Sequence, residues 1–220
     1  TTEENTEKVG GAGRLLVTDA RLLLLPVRSL TSRFMWVTCP HLIERYVRDC
    51  RRSEVSIPET GFDFRSVHGD GDGLPKYLGA NGEELFLEER QFLSAGPLPD
   101  RLTAILKPLI LHDVQPNVRK RLDDQLVVVS DDSFAWFARY GLSVNARNVL
   151  DEKTKTSKNL WYEETLPPDS LFYLLLAERS GGALEKVQIL FDGRRYIQVG
   201  GNETVGHGWF AVSEPLKGAQ

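Results

Sequence analysis

Apolar residues in this chain fall into continuous runs and helical repeats, and the alternation between the two marks out its elements. Residues 14–38 carry "RLLVTDARLLLLPV" and "RFMWVT", two β-prone stretches joined by the polar turn Ser29–Ser32. The first is almost unbroken in Leu and Val, the pattern of a strand covered on both faces. A helix is predicted next, because Leu42, Ile43, Tyr46, Val47 and Cys50 recur at helical spacing, Thr38 offers an N-cap and Pro40 fits the first turn. Its other face, with Glu44, Arg45, Arg48 and Arg51, reads as solvated surface.

From Ser53 to Gly96 the period fades and Gly, Pro and Asp accumulate. This stretch, continued by helical signals in "DRLTAILKPLILHDV" and "PNVRKRLDD", reads as an insertion over residues 53–125 with short strands and helices rather than a separate domain. Its "DGDG" lacks the alternating ligands and closing glutamate of a calcium loop and reads as a turn. "QLVVVS" then predicts a strand, and "SDDSFAWFARYG" a short helix capped by Ser130 or Asp131 and ended by Gly141.

The last third reads mostly as strands: "SVNARNVLD", "NLWYEETL", "SLFYLLLAE", "LEKVQILF", "RRYIQV" and "WFAV". The first pair, joined by the lysine-rich "EKTKTSK", predicts a projecting β-hairpin over residues 142–166. A strand, glycine loop and strand are predicted over 195–213. Strands at both ends with helices between them give an α+β class with a largely antiparallel sheet.

At 220 residues and 41% hydrophobic, the chain can build an ordinary core. Its candidate apolar run, Leu22–Leu25, is closed by Pro26 and Arg28, far short of the about 18 residues that span a bilayer. With no signal-peptide pattern either, the cytoplasm is the expected location. Cys39 and Cys50 would lie roughly 16 Å apart on a helix, beyond disulfide reach, and are expected to be reduced core thiols. Neither they nor His41, His68, His112 and His207 show zinc spacing. The net charge of −4 argues against charge-driven coating of nucleic acid but leaves room for a local basic groove. Thr1 in place of methionine leads to the expectation that part of a longer product precedes this chain.

Candidate chemistry concentrates at the C-terminal end, in "VGGNETVGHGWFAV". A dinucleotide fingerprint needs a helix after the glycine turn, and β-prone "WFAV" follows instead. Two readings stay open: a hairpin that needs positive φ, or a backbone nest that admits a polyanion. The acidic pairs Asp123–Asp124, Asp131–Asp132 and Glu163–Glu164 are sequence neighbours that form no acid/base dyad by proximity, and no serine sits in a nucleophile elbow.

The order of four segments, "GRLLVTDARLLLLPVRSLTSRFMWVTCPHLIERY", "VVVSDDSFAWF", "ARNVLDEKTKTSKNLWYEETLPPDSLFY" and "GGNETVGHGWFAV", resembles the backbone subunit of the Cmr (type III-B) CRISPR effector complex, in the RAMP superfamily. The resemblance implies a single, N-terminally incomplete RAMP domain over 1–220: a modified ferredoxin-like, RRM-related palm with an antiparallel sheet, an irregular insertion and a projecting hairpin that serves as a thumb. It implies a filament of copies along CRISPR guide RNA, with target RNA and other Cmr subunits as further partners and no membrane. It places the glycine loop, here Gly200, Gly201, Thr204, Gly206, His207 and Gly208, near RNA. The hairpin residues Arg147, Lys153, Lys155 and Lys158 join as RNA candidates, with Arg28 and Arg33 as phosphate forks beside the first turn.

Target-RNA cleavage in this family implies a divalent metal and an aspartate in an N-terminal glycine-rich loop, followed by a Ser-Ser-Leu-Lys-Gly-like helix start. Neither motif is visible before "VGGAGRLLVTDA", so no catalytic residue is assigned, and Asp19 belongs to a strand motif. A guide-binding subunit that positions target RNA for cleavage is the leading expectation. A cleavage-inactive RNA-binding scaffold and an unrelated α+β structural protein are the rivals.

Overall fold

A computed structural model describes residues 13–58, 61–68, 73–80, 82, 84–110, 116–179 and 181–213. Residues 1–12 and most of the "DGDG" turn lie outside them. In chain order the elements are β1 (Leu15–Val17), β2 (Arg21–Arg28), β3 (Phe34–Thr38), α1 (Pro40–Arg52), β4 (Lys76–Gly79), β5 (Glu84–Leu87), β6 (Arg90–Ser94), α2 (Leu102–Leu106), α3 (Pro116–Gln125), β7 (Leu126–Val129) and α4 (Asp131–Tyr140). They continue with β8 (Ser143–Leu150), β9 (Ser157–Thr165), β10 (Leu171–Tyr173), β11 (Leu176–Glu178), α5 (Ala183–Phe191), β12 (Tyr196–Gln198) and β13 (Trp209–Ala211).

Among the described residues the chain divides into two compact units, one of 13–20 with 174–213 and a larger one of 21–173. The larger unit is α+β. Its seven-stranded sheet runs β10-β2-β3-β7-β4-β6-β5 and is antiparallel except at β3–β7 and β4–β6. Residues 53–125, expected as an insertion, are built into it: β4 lies directly on β7, with Leu78 opposite Val128, and β6 and β5 complete the edge.

The run Leu126–Val129 reads as a strand because it lies between β3 and β4 with all four side chains buried. Gly79 is fitted to the same place. A Cβ there would meet Val127 Cγ1 at 3.0 Å and the Tyr77 ring at 3.1 Å. In β2, Leu23, Leu24, Leu25 and Val27 are buried, as their unbroken pattern predicts. Helix α1 buries the expected Leu42, Ile43, Tyr46, Val47 and Cys50.

Local chemistry explains several boundaries. "RLLVTDARLLLLPV" is two strands, because Thr18 turns the chain: its N–H donates to Leu175 O (3.1 Å) and its Oγ1 accepts from Leu175 N (2.9 Å). Thr38 is not the cap of α1. It is fully buried within β3, Cys39 takes the cap position, and the orphan N–H of His41 donates to Asp131 Oδ1 at 3.0 Å. Ser130 caps α4 through its Oγ, which accepts from Ser133 N at 3.2 Å, and Gly141 ends the helix. Arg45, expected in solvent, is half-buried and donates to Leu22 O at 2.8 Å. Both cysteines are buried and unpaired, and burial pushes the Cys39 thiol up to about 12.

The smaller unit pairs β1 with β11 and β12 with β13, both antiparallel. "LEKVQILF", expected as a strand, is helix α5. The Glu178 carboxylate accepts from Ala183 N (2.8 Å) and Leu184 N (3.0 Å), so a side chain upstream of the segment satisfies the helix's first orphan donors. No described residue of this unit is buried.

One buried polar junction ties α1 to the sheet. Asp49, 2% exposed, pairs with Arg21 of β2 and accepts from Tyr173 Oη of β10 at 2.7 Å. Burial alone would raise its pKa, but the hydrogen bonds from Tyr173 and Arg21 outweigh that and hold the carboxyl below its ordinary range. Asp49→Asn should therefore lower stability in urea unfolding, since it removes the buried carboxylate that pairs with Arg21 and accepts from Tyr173. The folded-state value is depressed, so the Asp49 contribution is fully present above the unfolded value of about 3.9 and is lost as pH falls through the folded one. Acid titration of the variant should lack that component.

Candidate functional site

The hairpin β8–β9 is the most exposed regular element of the larger unit. Its strands pair from Ser143–Thr165 to Leu150–Ser157, with a register shift at Val149/Leu150, and extend roughly 27 Å at about 3.4 Å per residue. Strand alternation sorts the side chains by face. On one face Arg147 Nε donates to Glu163 Oε2 (3.0 Å), Trp161 Nε1 donates to Glu163 Oε1 (2.9 Å), and Asn145 Nδ2 donates to Thr165 Oγ1 (3.1 Å). The other face carries Val144, Leu160 and Tyr162, all open to solvent, with Tyr162 68% exposed. That apolar stripe was readable in "SVNARNVL" and "SKNLWYEET" as every second position, but only the cross-strand register shows that the two halves share a face.

At the hairpin tip, Asp151 organises the turn. Its Oδ1 accepts from Lys153 N and Thr154 N at 2.9 Å each, and its Oδ2 pairs with Lys158 Nζ at 2.9 Å. The Thr154 N–H, the Lys158 ammonium and the Lys153 N–H hold its carboxyl low, at about 2. Lys153 and Lys155 are exposed and form no ion pair among the described residues.

The predicted cations thus fall into two sets. Arg28 is already forked onto Glu88 Oε2 through Nε (3.0 Å) and Nη2 (2.6 Å), Arg147 is held by Glu163, and Lys158 by Asp151. Arg33, Lys153 and Lys155 have no ion-pair partner among the described residues. The three counter-charges were invisible in sequence because Glu88, for example, lies 60 residues from the arginine it meets. Exposed ion pairs are worth about 0–1 kcal/mol, which leaves the mostly solvent-facing Arg28 and Lys158 side chains open to competition from another anion.

In the smaller unit the glycine loop forms a definite hairpin connection. Gly200, Asn202, Gly206 and Gly208 all have positive φ, and a short 3-10 turn spans Glu203–Val205. Internal bonds use the N–H groups of Val205 (to Asn202 O, 3.1 Å), Gly206 (to Glu203 O, 2.9 Å) and His207 (to Asn202 O, 3.2 Å), while Val199 N donates to Gly208 O at 2.9 Å. Gln198 Nε2 bridges Gly200 O and His207 O. The N–H groups of Gly206 and His207 are therefore committed to the turn, and those of Gly200 and Gly201 stand outside this network. Thr204 and both of these glycines are exposed. The positive-φ reading and an exposed backbone edge hold together in one loop.

Among the described residues no group of three or more His, Cys, Asp or Glu side chains is placed to hold a metal ion. The divalent ion implied by the resemblance has no ligand set there. No helix among them is long and apolar enough to cross a membrane.

Comparison with known proteins gives consistent results. The family model of the RAMP superfamily matches residues 4–211. The chain is 29% identical over 217 residues to the CRISPR system Cmr endoribonuclease Cmr4 of Pyrococcus furiosus, covering 92% of this chain and 69% of that protein. Its fold is similar to oligomeric Cmr4 from Pyrococcus furiosus (TM-score 0.63, 22% identity, 92% of this chain and 72% of that one). It is also similar to a chain of the type III-B Cmr-beta complex bound to cognate target RNA (TM-score 0.65, 18% identity, 94% and 72%).

The loop geometry separates its glycines by what each tolerates. Gly208 has φ +76°, and a Cβ there would sit 2.1 Å from Val199 O, whereas a Cβ at Gly201 meets nothing within 4 Å. Gly208→Ala should break the Val199–Gly208 bond and cost at least about 1–2 kcal/mol locally. The readout is faster hydrogen exchange at the Val199 amide. Gly201→Ala should leave that exchange rate unchanged.

Proposed function

Because the chain belongs to the RAMP superfamily, we propose that it acts as the guide-RNA-binding backbone subunit of a type III-B CRISPR effector, copies of which line up along guide RNA and position target RNA for cleavage. The observation that carries this reading is the two-faced hairpin, with a tip that offers unpaired Lys153 and Lys155, one face of buttressed polar side chains and one of exposed Val144, Leu160 and Tyr162. Lysine ammonium groups neutralise phosphates without reading sequence, and an aromatic ring gives a base a stacking surface. An element of this chemistry binds any guide, as a backbone subunit must.

The glycine loop supports the same reading from the other unit. Exposed Gly200 and Gly201 let a sugar-phosphate backbone approach without a Cβ in the way. Association with further copies and with other Cmr subunits is supported by the apolar surface of the smaller unit, where Ile189 is 66% and Trp209 56% exposed. Large apolar side chains left open to solvent are the material of interaction sites. The similarity to oligomeric Cmr4 and to a subunit of a complex bound to target RNA points the same way. Target-RNA cleavage is part of the proposal on the strength of the resemblance and the similarity to an endoribonuclease. The described residues support RNA positioning, and the metal implied for cleavage is assigned no ligands among them.

The test is RNA binding by the assembled complex as a function of salt. Lys153→Gln/Lys155→Gln should weaken binding and flatten the salt slope by about 1.4, at about 0.7 for each single-strand phosphate no longer neutralised. Both side chains are exposed, so thermal stability should stay within about 0.5 kcal/mol of the parent. Unchanged affinity and slope would remove the hairpin tip from the RNA interface.

A further inference from the structure

Helix α1 ends beside a cleft that none of the preceding chemistry uses. The cleft has a volume of about 470 Å³ and lies entirely within the larger unit. Ile43 and Val47 line it together with Arg48, Arg51 and Arg52 of the same helix and with Phe62 and Phe64 from the segment beyond. At helix positions i, i+3 and i+4, the three arginines are surface neighbours whose guanidinium groups can converge on one phosphate or two adjacent ones. Each is exposed, and none forms an ion pair among the described residues. Among the described residues that line it, Glu44 is the one carboxylate beside three arginines.

The bland account of arginines in a last helical turn is that they serve its unpaired carbonyls. Here the backbone already serves those of Asp49, Cys50 and Arg51. Ser53 N donates to Asp49 O (3.0 Å) and Cys50 O (3.1 Å), Glu54 N to Arg51 O (3.2 Å) and Val55 N to Cys50 O (2.9 Å). Nearby Arg65 is forked onto Asp63 and adds no free charge, so the three helix arginines are the cations left to a ligand.

The aromatic side of the cleft selects the ligand class. Phe64 is buried and packs at 5.7 Å and a 45° tilt against Phe62, which is half-buried and keeps part of its ring open to the cleft. Gly61 precedes it, and a Cβ there would meet nothing within 4 Å. Carboxylates of an acidic peptide would use the arginines and leave the ring idle. A nucleotide uses both, phosphate on the guanidinium groups and base against the phenyl face or a guanidinium plane.

We infer that this cleft is a second RNA-contact site, separate in sequence from the hairpin and the glycine loop, and that it holds a nucleotide of single-stranded RNA by its phosphate on Arg48, Arg51 and Arg52 and its base on Phe62. The inference rests on the RNA-binding reading above and extends it to a helix face that the sequence assigns to solvated surface.

The experiment uses the assembled complex and single-stranded RNA substituted with 4-thiouridine, read by salt-dependent binding and by photocrosslinking mapped to peptides. Arg48→Gln/Arg51→Gln/Arg52→Gln should lower affinity at least tenfold, flatten the salt slope by about 2, and abolish a crosslink in the peptide containing Phe62. Phe62→Ala should weaken binding with the slope unchanged, which separates stacking from charge. All four side chains reach solvent, and circular dichroism melts confirm that the variants fold. If the parent binds RNA and the triple variant matches it in affinity and slope, the cleft is not an RNA site and the hairpin reading survives. Displacement of the Phe62 crosslink by a polyglutamate peptide at lower concentration than unlabelled RNA would overturn the inference in favour of an acidic protein partner. Absence of salt-sensitive RNA binding by the parent complex would overturn both readings together.

Discussion

The larger unit depends on one strand being covered on every side. Leu126–Val129 takes β3 along one edge in parallel and β4 along the other in antiparallel, and its four side chains are wholly removed from water. At about 25 cal/mol per Å² of apolar surface, burying each such side chain contributes on the order of 1.5–3 kcal/mol, and the same strand joins the N-terminal β2–β3 pair to the strands of the 53–125 segment. The long irregular stretch between α1 and β7 is therefore tied to the core through backbone hydrogen bonds at its middle. Gly79, opposite Val127, shows how closely the two parts fit.

Capping and charge make a second set of long-range ties. Asp131, at the start of α4, satisfies a donor at the start of α1, and Ser130 caps α4 itself, so two helix N-termini are settled by consecutive residues at the end of β7. Asp49 links α1 to β2 and β10 through Arg21 and Tyr173. A buried carboxylate of this kind adds little net stability compared with an apolar residue of the same shape, yet it penalises every arrangement that leaves it unpaired. Its effect is to fix how α1 lies on the sheet, which in turn fixes where the exposed arginines of the same helix point.

The surface follows a different rule. Where a cation carries a structural partner, as Arg28 with Glu88 or Arg147 with Glu163, the side chain is held in place by it. Where it has no ion-pair partner among the described residues, as at Lys153, Lys155 and the arginines at the end of α1, the charge is open to a ligand. An overall charge of −4 is thus compatible with local anion sites, because acidic residues are spent as caps and counter-ions while selected basic ones stay unpaired.

Much of this was legible in the chain. Continuous apolar runs marked β2 and β7, helical spacing marked the buried face of α1, Ser130 and Gly141 bracketed α4, and "EKTKTSK" between two alternating segments pointed to the hairpin. The departures have local physical causes. "LEKVQILF" is rich enough in β-prone residues to pass for a strand, and it becomes α5 because Glu178 caps it from outside the window. "RLLVTDARLLLLPV" breaks where Thr18 exchanges hydrogen bonds with Leu175, a partner 157 residues away. Of the candidate site, the residue types were visible but their state was not: the engagement of Arg28 by Glu88, the commitment of the Gly206 and His207 N–H groups and the cleft beside Phe62 all depend on how the folded chain brings its segments together. Which segments must be buried and which must stay wet is written in the order of residues alone, because hydrophobic burial is summed residue by residue. Which charges are free to bind is settled largely by the fold, because pairing requires two groups within about 4 Å, and for a pair such as Arg28 and Glu88, 60 residues apart, nothing local sets that distance.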